Sequence, residues 1–306
     1  MPLSSPIRAV ALAAASALAL SACSAAPGDS SPSPNPSLTV VAAFYPLAYV
    51  AERVGGADVS VTNLTTPGVE PHDLELSPAA VRTLSSADLV LYLNTFQAAV
   101  DDAVASTGAT ALDAAASVAL VDQSQHSGTP DAKPTGVMDP HFWLDPTLLD
   151  AYASAVAREF SALDPEHAAD YVANAKALSV DLTELDRANA SGLATCERHE
   201  IFVSHEAFGY LADRYGLTEE GLAGIDPEAE PSPARLREIR SLMDASGATT
   251  IFTETLVSAN VAKALAKDAG ATTAVLNPLE GVAADEDYIS VMRTNLDGLR
   301  TGLGCA

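Results

Sequence analysis

Three histidines sit in distinctive, widely separated contexts in this 306-residue chain: His72 in GVEPHDLELSP, His141 in DPHFWLDP and His205 in FVSHEAFGYLADRYGL. The gaps from 72 to 141 and from 141 to 205 are far too wide for a zinc-finger arrangement. Ligands so far apart in sequence make a site that exists only when the whole body is folded. Neutral imidazole suits zinc, copper, nickel and iron, whereas magnesium and calcium take oxygen shells. Three imidazoles alone leave a position open on zinc, the arrangement of a hydrolase; a fourth protein ligand closes it. Glu280, in the turn Asn277-Pro278-Leu279-Glu280, offers that ligand. Taken singly, a histidine beside a strand is ordinarily structural, so the argument rests on the set. His167 and His199 read as surface or structural residues, and His126, in SQHSGTPDAKPTG, as part of a flexible, solvated polar stretch.

Strand ends must present these side chains. Apolar, β-branched or Leu-rich runs at 38–43, 59–64, 88–93 and 116–121 predict buried parallel strands, with helices between them at 46–54, 77–84 and 96–105. At Asp164 the pattern changes to one long helix reaching 191, with Asp164 as N-cap, Pro165 at the first position and an apolar stripe from Ala168 to Leu185. A second set follows: strands at 200–204, 222–225, 249–253 and 272–276, and helices at 206–215, 232–246, 259–269 and 286–301. The expected fold is α/β: two lobes, 38–163 and 192–306, each a mainly parallel sheet flanked by helices. One rigid helix, 164–191, joins them, with the metal site in the cleft between. His72 and His141 would come from the first lobe, His205 and Glu280 from the second. Asp73, Asp139, Asp145, Glu206 and Glu254 are within reach to orient imidazoles by their other nitrogen, without assignable pairings.

The N-terminal 22 residues carry Arg8, an apolar stretch at 9–20 and then Leu20-Ser21-Ala22-Cys23. The stretch is shorter than the roughly 20 residues a spanning helix needs and reads as a lipoprotein export signal. Cys23 would be acylated, with residues 24–37 as a Pro- and Ser-rich tether, leaving the body extracytoplasmic at the outer face of the cell membrane. Cys196 and Cys305 most simply form one disulfide in an oxidising compartment, with metal ligation or free thiols as alternatives. Sixteen Lys+Arg against 40 Asp+Glu give a net charge of −24, which argues against nucleic acid and raises the local concentration of cations.

From residue 38 to 304 the chain resembles the zinc- and manganese-binding solute-binding lipoproteins of ABC importers. The resemblance is carried, in order, by VVAAFYPLAYVAERVGG, PHDLELSPAAVRTLSSADLVLYL, DPHFWLDP, FVSHEAFGYLADRYGL, IFTETLVSANVAKALAKDAGA and VLNPLEG. It implies that His72, His141 and His205 bind the metal and that the fourth ligand comes from the last turn. Manganese-specific members usually have Glu where this chain has His205, so zinc is favoured over manganese. Many relatives place Asp in the last turn near Asn277; Glu280 is chosen here, with a water-completed site as the alternative. The resemblance further implies a monomer that delivers its ion to an ABC transporter permease and is no enzyme.

Rival functions are a manganese-binding or adhesin-type member of the same family and a three-histidine zinc hydrolase. HExxH is absent, since His205-Glu206 runs into Ala207-Phe208-Gly209, and no GxSxG elbow occurs.

Overall fold

The structure, a computed structural model, describes residues 36–126 and 133–306. The export signal, Cys23 and nearly all of the expected tether lie outside the described residues.

In the first lobe β1 (Leu38–Ala42), β2 (Val59–Asn63), β3 (Leu89–Tyr92) and β4 (Ala111–Asp113) form a parallel sheet in the order β2-β1-β3-β4. In the second, β5 (Glu200–Val203), β6 (Thr218–Gly221), β7 (Thr250–Thr253) and β8 (Thr272–Val275) repeat that order as β6-β5-β7-β8, again parallel. Each sheet therefore switches winding direction between its two central strands, which is where parallel sheets open a crevice at their carboxyl ends. Helices α1 (Tyr45–Gly55), α2 (Pro78–Ser86) and α3 (Ala98–Thr107) belong to the first sheet. Helices α6 (Gly209–Tyr215), α7 (Pro233–Ser246), α8 (Asn260–Ala269) and α9 (Tyr288–Leu303) belong to the second.

Between the lobes run α4 (Pro146–Leu163) and α5 (Ala168–Leu193), packed along each other. The long helix starts at Ala168 instead of Asp164, because Asp164 closes α4. Its N–H donates to the Phe160 carbonyl, and Pro165 has no N–H with which to continue the helix. The Asp164 carboxylate then accepts from Tyr171 Oη at 2.8 Å and lies 2.7 Å from His167 Nδ1, fixing the corner. Helix α4 has a start the periodicity reading passed over: Asp145 Oδ1 accepts from Thr147 N at 2.7 Å, and Pro146 opens the first turn. Leu149, Tyr152, Ala153, Val156 and Phe160 are its buried stripe.

Two expected strands are displaced. The run 116–121 is not a strand; β4 lies at Ala111–Asp113, and Asp113 Oδ1 accepts from Ala115 N at 3.0 Å to turn the chain out of the sheet. The strand expected at 222–225 is β6, Thr218–Gly221, whose sequence TEEG is too acidic to read as buried. Glu220 is compensated, its Oε2 accepting from Arg235 Nη2 at 3.0 Å, and Glu219 only in part: its Oε1 accepts from Phe208 N at 2.7 Å while its buried Oε2 has no hydrogen-bond partner.

One apolar core runs from the first sheet through α1, α4 and α5 to α9 and the inner side of the second sheet. A smaller cluster, built on Phe202, Ile239, Met243 and Ile251, lies between that sheet and α7 and α8. A Cys196–Cys305 disulfide joins the segment after α5 to the segment after α9. Among the described residues no helix is long and apolar enough to cross a membrane.

Candidate metal centre

His205 lies two residues past the end of β5, and Glu280 lies in the turn after β8. That turn is held by paired amides. Asn295 Oδ1 accepts from Asn277 N at 2.9 Å, Asn295 Nδ2 donates to Asn277 O at 2.7 Å, and Asn277 Oδ1 accepts from Leu279 N at 2.7 Å. Leu279 takes a left-handed φ of 63° there, which aims the next side chain, Glu280, into the cleft. Asn277 thus shapes the turn and is not part of the cluster.

The first lobe reaches the cleft on longer loops. His72 follows β2 in a turn in which both Glu70 oxygens accept from His72 N, at 3.1 and 3.0 Å. Gln97 Nε2 pins the same turn by donating to the Pro71 carbonyl at 3.0 Å. His141 precedes the short 3-10 turn Phe142–Leu144, and Trp143 Nε1 donates across the cleft to the Pro278 carbonyl at 2.8 Å. Tyr288 Oη donates to the Trp143 carbonyl at 2.6 Å, a second tie between the lobes at the same depth.

These elements bring one ligand atom from each of His72, His141, His205 and Glu280 within 4.8 Å of one another. Glu280 Oε1 lies 3.1 Å from His72 Nε2, 3.3 Å from His141 Nε2 and 3.7 Å from His205 Nε2. Neighbouring ligands on a tetrahedral ion with bonds of about 2.0–2.1 Å are separated by about 3.3 Å, so the observed spacings bracket what such an ion needs. His205 Nε2 is buried with no hydrogen-bond partner. A buried polar atom left unpaired is costly, and here it faces three other ligand atoms.

The rings are oriented from behind. Asp139 Oδ1 lies 2.8 Å from His141 Nδ1, and Glu254 Oε1 lies 2.7 Å from His205 Nδ1, so each Nε2 is the nitrogen left for a cation. Of the other acids within reach in sequence, Asp145 caps α4 and Glu206 faces Arg235 at 3.9 Å. Burial opposes charge on His141, yet hydrogen bonds to Asp139 and Glu280 outweigh it and hold the imidazolium up to about 10. Burial alone would raise Glu280, but the same contacts with His141 and His72 keep it well below the usual carboxylate range. Desolvation lowers His72. The cluster is thus a buried anion surrounded by imidazoles, and a divalent cation would enter by displacing protons.

Sequence reasoning missed two neighbours. Glu70 was not singled out, although its Oε1 lies 4.0 Å from His72 Nε2; burial lifts its carboxyl to about 7, and the EPH spacing was its signal. His126 is not a solvated loop residue: it is buried against Asp139, which no local pattern announces.

Comparison with known proteins identifies the family. Residues 40–302 match the family described as ZnuA, zinc-uptake complex component A, periplasmic. The high-affinity zinc uptake system protein ZnuA of Bacillus subtilis (strain 168) is 30% identical over 279 residues, covering 87% of this chain and 88% of that protein. The zinc-binding lipoprotein AdcA of Streptococcus pneumoniae is 33% identical over 276 residues, but this chain spans only 55% of AdcA's length. The solved structure of the laminin-binding protein Lmb of Streptococcus agalactiae, described as bifunctional with adhesin and metal-transporting activity, superposes with a TM-score of 0.78. It is 30% identical, covering 87% of this chain and 99% of that one. Match and cluster together place this chain in the ZnuA family of zinc-uptake binding components.

Proposed function

We propose that this chain captures Zn2+ outside the cytoplasm and delivers it to the permease of an ABC importer. The ion would be held by His72, His141, His205 and Glu280. The observation that carries this reading is the closed donor set: a buried, unpartnered His205 Nε2 facing two further imidazole nitrogens and one carboxylate. Four protein ligands fill a tetrahedral ion and leave no position for a reactive water, which favours a carrier over a hydrolase. The third imidazole favours zinc over manganese, because it moves the donor set from hard towards borderline.

The ZnuA relative is named as an uptake-system protein and AdcA as a lipoprotein. The second name supports acylation at Cys23 after a signal at 1–22, with 23–37 as a tether that holds the body at the outer face of the membrane; the body itself is taken to be a monomer. In the body we assign 38–163 and 192–306 to the two lobes, with 164–191 as their connection. An adhesive role is the second reading, favoured by the likeness to Lmb.

Loading would exchange the imidazolium proton for zinc with little movement of the lobes, since Trp143 and Tyr288 already bridge the cleft. Release would then require the permease to open these ties. The test is a chelator competition on the full chain with zinc and with manganese. The expected result is one tightly held zinc and much weaker manganese; more than one equivalent, or tighter manganese, would overturn the reading.

A further inference from the structure

His126 belongs by sequence to the first lobe, in the segment that leads to His141, yet its side chain is 4% exposed. Its Nδ1 lies 2.5 Å from Asp139 Oδ2, while the other oxygen of that carboxylate lies 2.8 Å from His141 Nδ1 and accepts from His141 N at 2.9 Å. One carboxylate, itself 1% exposed, is therefore divided between two imidazoles, and only His141 faces the cation site. The seat for the outer ring is built by the other lobe. The His126 ring stands edge-on to Tyr210 of α6, with centroids 4.6 Å apart. Tyr210 Oη donates to the Asp139 carbonyl at 3.0 Å and accepts from Val121 N at 3.0 Å. Gly209 leaves the space the ring occupies: a Cβ there would overlap it. Asp213 Oδ2, on the next turn of α6, lies 3.4 Å from His126 Nε2.

We propose that His126 is a positioning residue for the metal cage: it fixes Asp139, and through Asp139 the ring of His141, from a socket supplied by α6. Helix α6 begins four residues after His205, so one contact ties a proposed ligand of the first lobe to the helix that follows a proposed ligand of the second. His126 thereby becomes part of what determines zinc retention without touching the ion. This inference rests on the four-ligand zinc site proposed above.

The experiment compares full-length parent, His126→Ala, His126→Asn and Gly209→Ala. Zinc affinity and release rate are measured by chelator competition, the visible absorption of the Co2+-substituted proteins is recorded, and folding is checked by circular dichroism. Loss of an outer partner of a ligand typically costs about 10–100-fold in metal affinity, and that is the loss expected for His126→Ala, with faster release and an altered Co2+ spectrum. The Asn amide can donate to Asp139 from nearly the position of Nδ1, so His126→Asn should recover most of the affinity and the parent spectrum. Gly209→Ala, which keeps the imidazole but displaces it, should shift both readouts in the direction of His126→Ala. A purely structural role would leave the Co2+ spectrum of any folded variant unchanged. Parental affinity and spectrum in His126→Ala or Gly209→Ala, or no recovery in His126→Asn, would overturn the proposal while leaving the zinc reading intact. Failure of the parent itself to bind zinc would overturn the zinc reading.

Discussion

The two lobes share a strand order but hold the side chains they bring to the cluster differently. In the second lobe His205 and Glu280 sit within a few residues of β5 and β8, so the sheet itself aims them. Glu254, just beyond β7, orients His205, and Glu219 on β6 holds the Phe208 N–H that shapes the turn after His205. In the first lobe His72 and His141 lie well beyond their strands. They are aimed by tertiary ties: Gln97 to Pro71, Trp143 to Pro278, and Asp139 shared between His126 and His141. A regular element can build half of a site cheaply. The half on loops depends on tertiary bonds, of which Trp143 to Pro278 crosses the cleft and so needs the partner lobe in place.

This contrast ranks the expected effects of substitution. The largest effect is expected from the ligands themselves, in either lobe: His205→Ala and His72→Ala should each lower zinc affinity by more than the roughly 100-fold upper range for an outer partner. A variant that retained tight zinc would remove that residue from the cage. Next, Glu254→Gln should cost about 10–100-fold in affinity while leaving the melting temperature of the metal-free protein nearly unchanged, because the strand ends still place His205. Trp143→Phe probes the loop-built half. It removes the Nε1–H donor but keeps most of the buried ring, leaving the Pro278 carbonyl unpaired at a cost of about 1–3 kcal/mol. Melting temperature and zinc affinity should fall together. A drop in affinity alone would mean that the tie is local to the site.

The smallest effect concerns Glu219. Burial pushes its carboxyl well above the usual range, so folding must supply it with a proton that the unfolded chain lacks above about pH 4.5. Its contribution is therefore most favourable at acid pH and declines as pH rises. Glu219→Gln should raise the melting temperature by a few degrees at pH 8 and leave it unchanged near pH 4, by calorimetry at both values. Equal shifts at the two pH values would mean that Glu219 is ionised in the fold.

How far the sequence could be read follows the same division. The strands ending before His205 and Glu280 were legible as short apolar runs, and the family resemblance joined them to His72 and His141. Strand β6 was not legible, because TEEG is buried only by virtue of Phe208 N and Arg235, contacts that no local pattern encodes. Helix α4 was legible in principle, from the Asp145 cap, Pro146 and a regular apolar stripe, but the stronger Asp-Pro signal at 164–165 drew the helix start to the wrong corner. The sequence around His126 looks solvated because the residue's partners, Asp139 and Gly209, come from a later turn and from the opposite lobe.

The Cys196–Cys305 bridge encloses 109 residues of sequence separation, and every element from β5 to α9 lies inside that ring. In the chain-entropy view, closing a loop of about 100 residues removes some 4–5 kcal/mol of freedom from the unfolded state. All of that restraint falls on the lobe that carries His205 and Glu280; the lobe with His72 and His141 receives none. The thiol–disulfide poise of the surroundings therefore reaches the cluster through the lobe that supplies His205 and Glu280, and reduction should lower the stability of the whole fold, whose apolar core runs through both lobes.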